Sequence, residues 1–223
     1  VRIRSSGSGL EAHADLKIRV PRGQRVTLNL GVGEIEASNV EGELELRTRV
    51  SPITTSRTKG RITLRTGSGR ISVDGSEGDV NAGTGSGGIE IRGVKGTELR
   101  ASTGSGSVEV NGAEVERFEA STGSGGVRVE SLRADDVRAS TGSGSIRLDL
   151  TRVPRSTTVR TGSGGATLAL PNNPNTGSGG ISSDFPVTMD EVRRRQLRGT
   201  IGTGADGRIR ISTGSGSARL QRR

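Results

Sequence analysis

The 223-residue chain has no cysteine, no tryptophan and no tyrosine, with one histidine, one methionine and two phenylalanines, Phe118 and Phe185. Each gap closes a class of chemistry. Without thiols there is no disulfide, no thiolate metal site and no cysteine nucleophile. With His13 as the single imidazole, a zinc cluster or a Ser-His-Asp triad lacks partners. Scarce aromatics mean a thin aliphatic interior, and they remove both the stacking that sequence-reading nucleic-acid binders use and the platforms that sugar-cleaving enzymes use. No run reaches the ~20 apolar residues of a membrane helix, and no signal peptide opens the chain. The start at Val1 points to a processed mature form, for which a removed export signal is one explanation, or to a piece cut from a longer chain. Placement outside the cytoplasm is expected: periplasmic, at the cell surface or secreted.

What the chain has in excess is glycine, 37 residues, and positive charge, a net +9. The charge is local. Residues 192–223 hold nine arginines against Asp206 alone, while the rest of the chain nearly balances.

The glycines fall in a repeat. TGSG begins at Thr66, Thr84, Thr103, Thr122, Thr141, Thr161, Thr176 and Thr213, a degenerate TGAD begins at Thr203, and GVGEI at Gly31–Ile35 is a weaker echo. The early spacings are 18 to 20 residues, and such a period signals stacked units. On both sides of the tetrapeptide apolar residues alternate with polar ones, the period of a strand. The inward positions before it are Ile62 and Leu64, Val80 and Ala82, Leu99 and Ala101, Phe118 and Ala120, Val137 and Ala139. After it they are Ile71 and Val73, Ile89 and Ile91, Val108 and Val110, Val127 and Val129, Ile146 and Leu148. Ser72, Glu90, Glu109, Arg128 and Arg147 face solvent.

A constant period with the same corner each time predicts an all-β, single-chain parallel β-solenoid of about 19 residues per coil, right-handed by the chirality of parallel crossovers. About ten coils would make a rod roughly 50 Å long. The expected corner residues are Thr66, Gly67 and Gly69; Thr84, Gly85 and Gly87; Thr103, Gly104 and Gly106; Thr122, Gly123 and Gly125; and Thr141, Gly142 and Gly144. Glycine there supplies backbone freedom, including positive φ, and the hydroxyls can bond along the stack. Residues 1–60 are expected to form degenerate coils and a cap, in which Leu16, Ile18 and Val20, then Val26, Leu28 and Leu30, still alternate as strands. Residues 61–183 form the regular solenoid, and 184–223 an insertion, as a long loop or extra strand pair, followed by arginine-rich coils. The three parts make one continuous domain.

The serial GSGxIxV units, the opening segment LKIRVPRGQRVTLNLGVGEIEASNVEG and the closing GRIRISTGSGSARL resemble the bacterial adhesin-type β-strand-repeat family, a domain of unknown function. The resemblance spans nearly the whole chain. It implies a parallel β-solenoid and placement in or outside the cell envelope, with no established activity.

No site chemistry competes well with that reading. A Walker loop needs Lys and Ser or Thr after its last glycine, and no TGSG has them. Calcium-binding rolls need a fixed Asp where this repeat carries Ile, Glu, Arg or Ser. Glu90 and Glu109, one coil apart, form the pair nearest to a glycosidase's, but a solvated strand face explains them. The hydroxyl columns border glycine corners, unlike the flat faces of ice-binding solenoids. No catalytic residue, metal site or cofactor is expected. The expected function is a non-catalytic surface scaffold or adhesin-like protein of the envelope. The alternatives are a self-associating, filament-forming protein, since solenoid ends are open and acidic 34–45 complements the basic end, and a binder of anionic envelope polymers. For the last, Arg193, Arg194, Arg195 and Arg198 are the candidate anion ligands, with sequence-specific nucleic acid excluded.

Overall fold

The computed structural model describes residues 17–171, 187–193, 196–201 and 207–222. It begins with β1 (Gln24–Leu30), β2 (Ile35–Ser38), β3 (Gly42–Thr48), β4 (Ile53–Lys59), β5 (Ile62–Thr66), β6 (Ile71–Glu77) and β7 (Val80–Thr84). Three long strands follow, β8 (Ile89–Thr103), β9 (Val108–Thr122) and β10 (Val127–Thr141), then β11 (Ile146–Leu150), β12 (Ser156–Thr161) and β13 (Ala166–Leu170). The last are β14 (Val187–Arg193), β15 (Gln196–Ile201), β16 (Arg208–Thr213) and β17 (Ala218–Arg222). Among the described residues there is no helix.

The register makes a parallel β-solenoid. One face stacks β1, β3, β5, β7, the second half of β8, the second halves of β9 and β10, then β12 and β16. The other stacks β2, β4, β6, the first halves of β8, β9 and β10, then β11, β13 and β17. About eight turns lie roughly 19 residues apart. Val80, Leu99, Phe118 and Val137 stand in one column, and Ile71, Ile89, Val108, Val127 and Ile146 in another. Every inward position read from the alternation is buried. The filling is aliphatic apart from Phe118 and a few hydroxyl side chains such as Thr55, Thr58, Ser76 and Thr157, and each coil encloses one slender layer of core that is continuous from Ile35 to Leu220.

Two features depart from expectation. The segment with Ile18 and Val20 forms no strand, and Ile18 is 57% exposed. Pro21 has no N–H to give to a ladder, and the chain turns at Arg22 and Gly23 before β1 begins. The second concerns the insertion. β12 pairs directly with β16 and β13 with β17, so the register steps from Thr157 to Ile209 and from Ala166 to Ala218. Between them lies the extra strand pair, β14 antiparallel to β15, and β15 then pairs antiparallel with the outer edge of β16. The polarity switch caps the outer edge of that sheet at the last coil. The TGSG at Thr176 and the TGAD at Thr203 lie outside the described residues.

Each coil also bends at a second corner. Asn39, Arg57, Gly75, Gly93, Gly112 and Ser131 occupy successive coils and all have positive φ, between 49° and 69°. They bend each coil from the face after TGSG onto a short third side, whose inward residues include Val94, Ala113 and Leu132. Because Asn, Arg and Ser share this column with Gly, it leaves no composition signature.

Candidate functional site

The TGSG corner can be built from its hydroxyl outward. Each threonine ends the incoming strand and is 5% to 8% exposed. Its Oγ1 donates to the carbonyl of the fourth corner residue one coil back: Thr84 to Gly69, Thr103 to Gly87, Thr122 to Gly106 and Thr141 to Gly125, at 2.8 to 3.0 Å. The same oxygen accepts the N–H of the fourth residue of its own corner, as Gly87, Gly106, Gly125 and Gly144 donate at 3.0 to 3.2 Å. One hydroxyl thus closes its own turn and fastens it to its neighbour. The backbone carries the ladder around the bend, with Ser105 donating to Gly85 and Ser124 to Gly104.

The reason for glycine here differs from the expected one. Among the described residues, none of the TGSG glycines has left-handed φ. A Cβ on Gly87, Gly106, Gly125 or Gly144 would instead stand 1.9 Å from a backbone oxygen of the preceding coil. The corner is a place where two backbones approach too closely for any side chain.

Thr122→Val tests the hydroxyl. It leaves the Gly125 N–H and the Gly106 carbonyl without their partner, and a loss of about 1–3 kcal/mol in urea denaturation is expected. Thr55→Val should do the opposite. The Thr55 hydroxyl is fully buried with no hydrogen-bond partner, in a column with Val73 and Ile91, so replacing it with a methyl is expected to raise stability by about 1 kcal/mol.

Charge also runs lengthwise. Glu41, Lys59, Glu77, Lys95, Glu114 and Arg133 occupy one column with alternating sign. Lys59 Nζ lies 2.7 Å from Glu77 Oε2, and Arg133 lies 3.1 Å from Glu114. On another face Arg25 pairs with Glu43, Arg61 with Asp79 and Arg100 with Glu119, each one coil apart. Like charges directly opposed across strands are unfavourable, so alternation also disfavours slipping by one coil. The signal was available in the sequence as a sign change every 18 or 19 residues.

The hydrogen bond to Glu77, and then its charge, raise the Lys59 ammonium above 10.5, while the same bond and the Lys59 charge lower the Glu77 carboxyl below 4.5. Both groups are exposed, so the effect on stability is small. Its sign is fixed. The carboxyl's contribution is present above the ordinary glutamate range and disappears as pH falls through its lowered value, and the ammonium's disappears as pH rises through its raised one. Lys59→Met is expected to return the Glu77 titration, followed by NMR, toward 4.5.

The carboxylate pair of the sequence reading is in register, Glu90 beside Glu109. Glu90 is bound by Arg92 and lies 4.0 Å from Arg70. Glu109 borders a shallow groove of about 360 Å³ along with Arg128, Arg147, Ser107 and Ser145. Neither carboxylate has an acid or base partner poised against it, and the residues around them form ion pairs. No cluster of three metal-ligating side chains occurs among the described residues, and His13 lies outside them. Of the anion candidates, Arg193 ends β14 and Arg198 pairs in backbone register with Arg210. Arg194 and Arg195 lie outside the described residues.

These ladders define a class: a parallel β-solenoid repeat domain whose surface chemistry is axial rather than gathered at one centre. The family model described as Toastrack DUF4097 matches residues 5–221, and the chain belongs to that family, an uncharacterised domain. The family resemblance and the solenoid it implied are thereby borne out, whereas the match carries no adhesin role. No curated protein and no solved structure matches the chain.

Proposed function

We propose that the protein is a non-catalytic scaffold of the cell envelope, held outside the cytoplasm, whose repeated faces make adhesin-like contacts. The supporting observation is the use made of polar groups. Corner hydroxyls bond from coil to coil, and many surface charges do the same. Such lengthwise bonding stiffens a rod and repeats one surface lattice, which suits a spacer or platform. The test is fractionation of the native host carrying an epitope-tagged chromosomal copy. Recovery with envelope or medium supports the reading, and recovery in the cytosol rejects it.

A self-associating role is favoured by one further observation. β15 covers the outer edge of β16, but β17 pairs only with β13 among the described residues. A one-sided edge strand can accept a strand from a second copy. Light scattering across a concentration series decides, because persistent monomer at the highest concentration eliminates this role.

A further inference from the structure

The 52-residue register step brings together arginines that are far apart in sequence. Arg138 on β10 is in register with Thr158 on β12 and then Arg210 on β16, and Ser140 with Arg160 and then Ser212. Arg208 follows Ser156 in the adjoining column. Arg138, Arg160, Arg208 and Arg210 are all exposed. The antiparallel strand β15 extends the same sheet, with Arg198 in backbone register with Arg210.

Elsewhere on this side arginines meet carboxylates one coil away, as Arg25, Arg61 and Arg100 do. Among the described residues none of these four arginines forms an ion pair; the carboxylates at the rim of the group are Asp136 and Glu119, and Glu119, in register with Arg138, lies 3.7 Å from Arg100. Unpaired like charges on adjacent strands repel unless an anion lies between them. The positions between them carry hydroxyls, so the face is a lattice of guanidinium forks and short donors, the chemistry that grips phosphate oxygens. Its spacing suits a repeating ligand. Arg208 and Arg210 are about 6.6 Å apart along the strand, and Arg138 and Arg210, two strands apart, about 9.6 Å. The outward positions hold no aromatic to stack on a base and no apolar side chain to enter a bilayer.

We infer that this face, centred on Arg138, Arg160, Arg208 and Arg210, binds a linear phosphodiester polymer with a polyol backbone. The inference adds a ligand class to the scaffold reading and fails separately from it, because binding in solution does not depend on where the protein resides.

The test uses the full chain and fluorescently labelled poly(glycerol phosphate) in an anisotropy titration. If four phosphates are engaged, raising salt from 50 to 200 mM should weaken binding about 50-fold, taking ~0.7 per contact as for single-stranded polyanions. R138S/R160S/R208S/R210S should lose most of the affinity and flatten the salt dependence. The control R25S/R47S/R61S/R92S removes the same charge from paired positions and should bind within about threefold of the original chain. Matching circular dichroism melts show that both variants fold. No binding by the original chain, or equal losses in both variants, overturns the inference. Tighter binding of a thymidine oligonucleotide of equal charge, or of phosphatidylglycerol vesicles, overturns it in favour of nucleic acid or membrane.

Discussion

Gly125→Ala is expected to cost about 4 kcal/mol or more, among the largest effects a single methyl can have. The added Cβ would lie 1.9 Å from the carbonyl oxygen of Gly106, 2.5 Å from its carbon and 3.0 Å from the Ser107 nitrogen. All three are backbone atoms fixed in the ladder, so no side chain can move aside. The two coils must separate, which breaks the Thr122–Gly106 hydrogen bond and the corner's backbone ladder together. Gly88→Ala is the matched control. It also adds a methyl to a glycine beside a corner, but the nearest heavy atom, the Ser107 oxygen, is 3.6 Å away, and φ is not left-handed. Its effect should stay within about 0.5 kcal/mol. Denaturation midpoints measure both, and hydrogen exchange at Val127, which donates to the Ser145 carbonyl, reports whether the damage is local. Similar midpoints for the two variants would show that glycine at the corner is dispensable.

Phe118→Ala should lose about 3–5 kcal/mol. Phe118 is 1% exposed and stacks between Leu99 and Val137 in a core whose other apolar side chains are aliphatic. A thin interior has no second layer to collapse into the space. In a solenoid each coil contacts mainly its neighbours, so loss of exchange protection should centre on β8, β9 and β10 and fade toward β3 and β16. Phe118→Leu keeps most of the volume and should cost less than about 1.5 kcal/mol. A uniform loss of protection along the whole chain would contradict nearest-neighbour coupling.

Much of the fold was legible because a solenoid writes its cross-section into the sequence many times. The alternation Ile89, Ile91 and Val108, Val110 gave the buried columns, and the spacing of TGSG gave the coil. Other features left no such trace. The left-handed column that runs from Asn39 through Arg57 to Ser131 is set by backbone geometry that several residue types tolerate at some cost. The insertion defeated coil counting, because a repeat motif at Thr176 says nothing about whether its residues enter the stack. The candidate anion face was hidden for the same reason. Arg193, Arg194, Arg195 and Arg198 attracted attention as a run, whereas Arg138 and Arg160 are ordinary surface positions until Arg210 and Arg208 are laid over their sheet.

By itself the sequence determined that this chain is all-β, that its polar and apolar residues alternate about a narrow aliphatic core, and that one threonine-glycine corner recurs each coil. Local periodicity is enough for that, because every coil solves the same burial problem with the same residues. Only the tertiary structure decided why the corner must be glycine, where β16 and β17 dock, and which arginines share a face. Those facts depend on the distance between backbones in adjacent coils and on register across 52 residues, quantities that no single repeat contains.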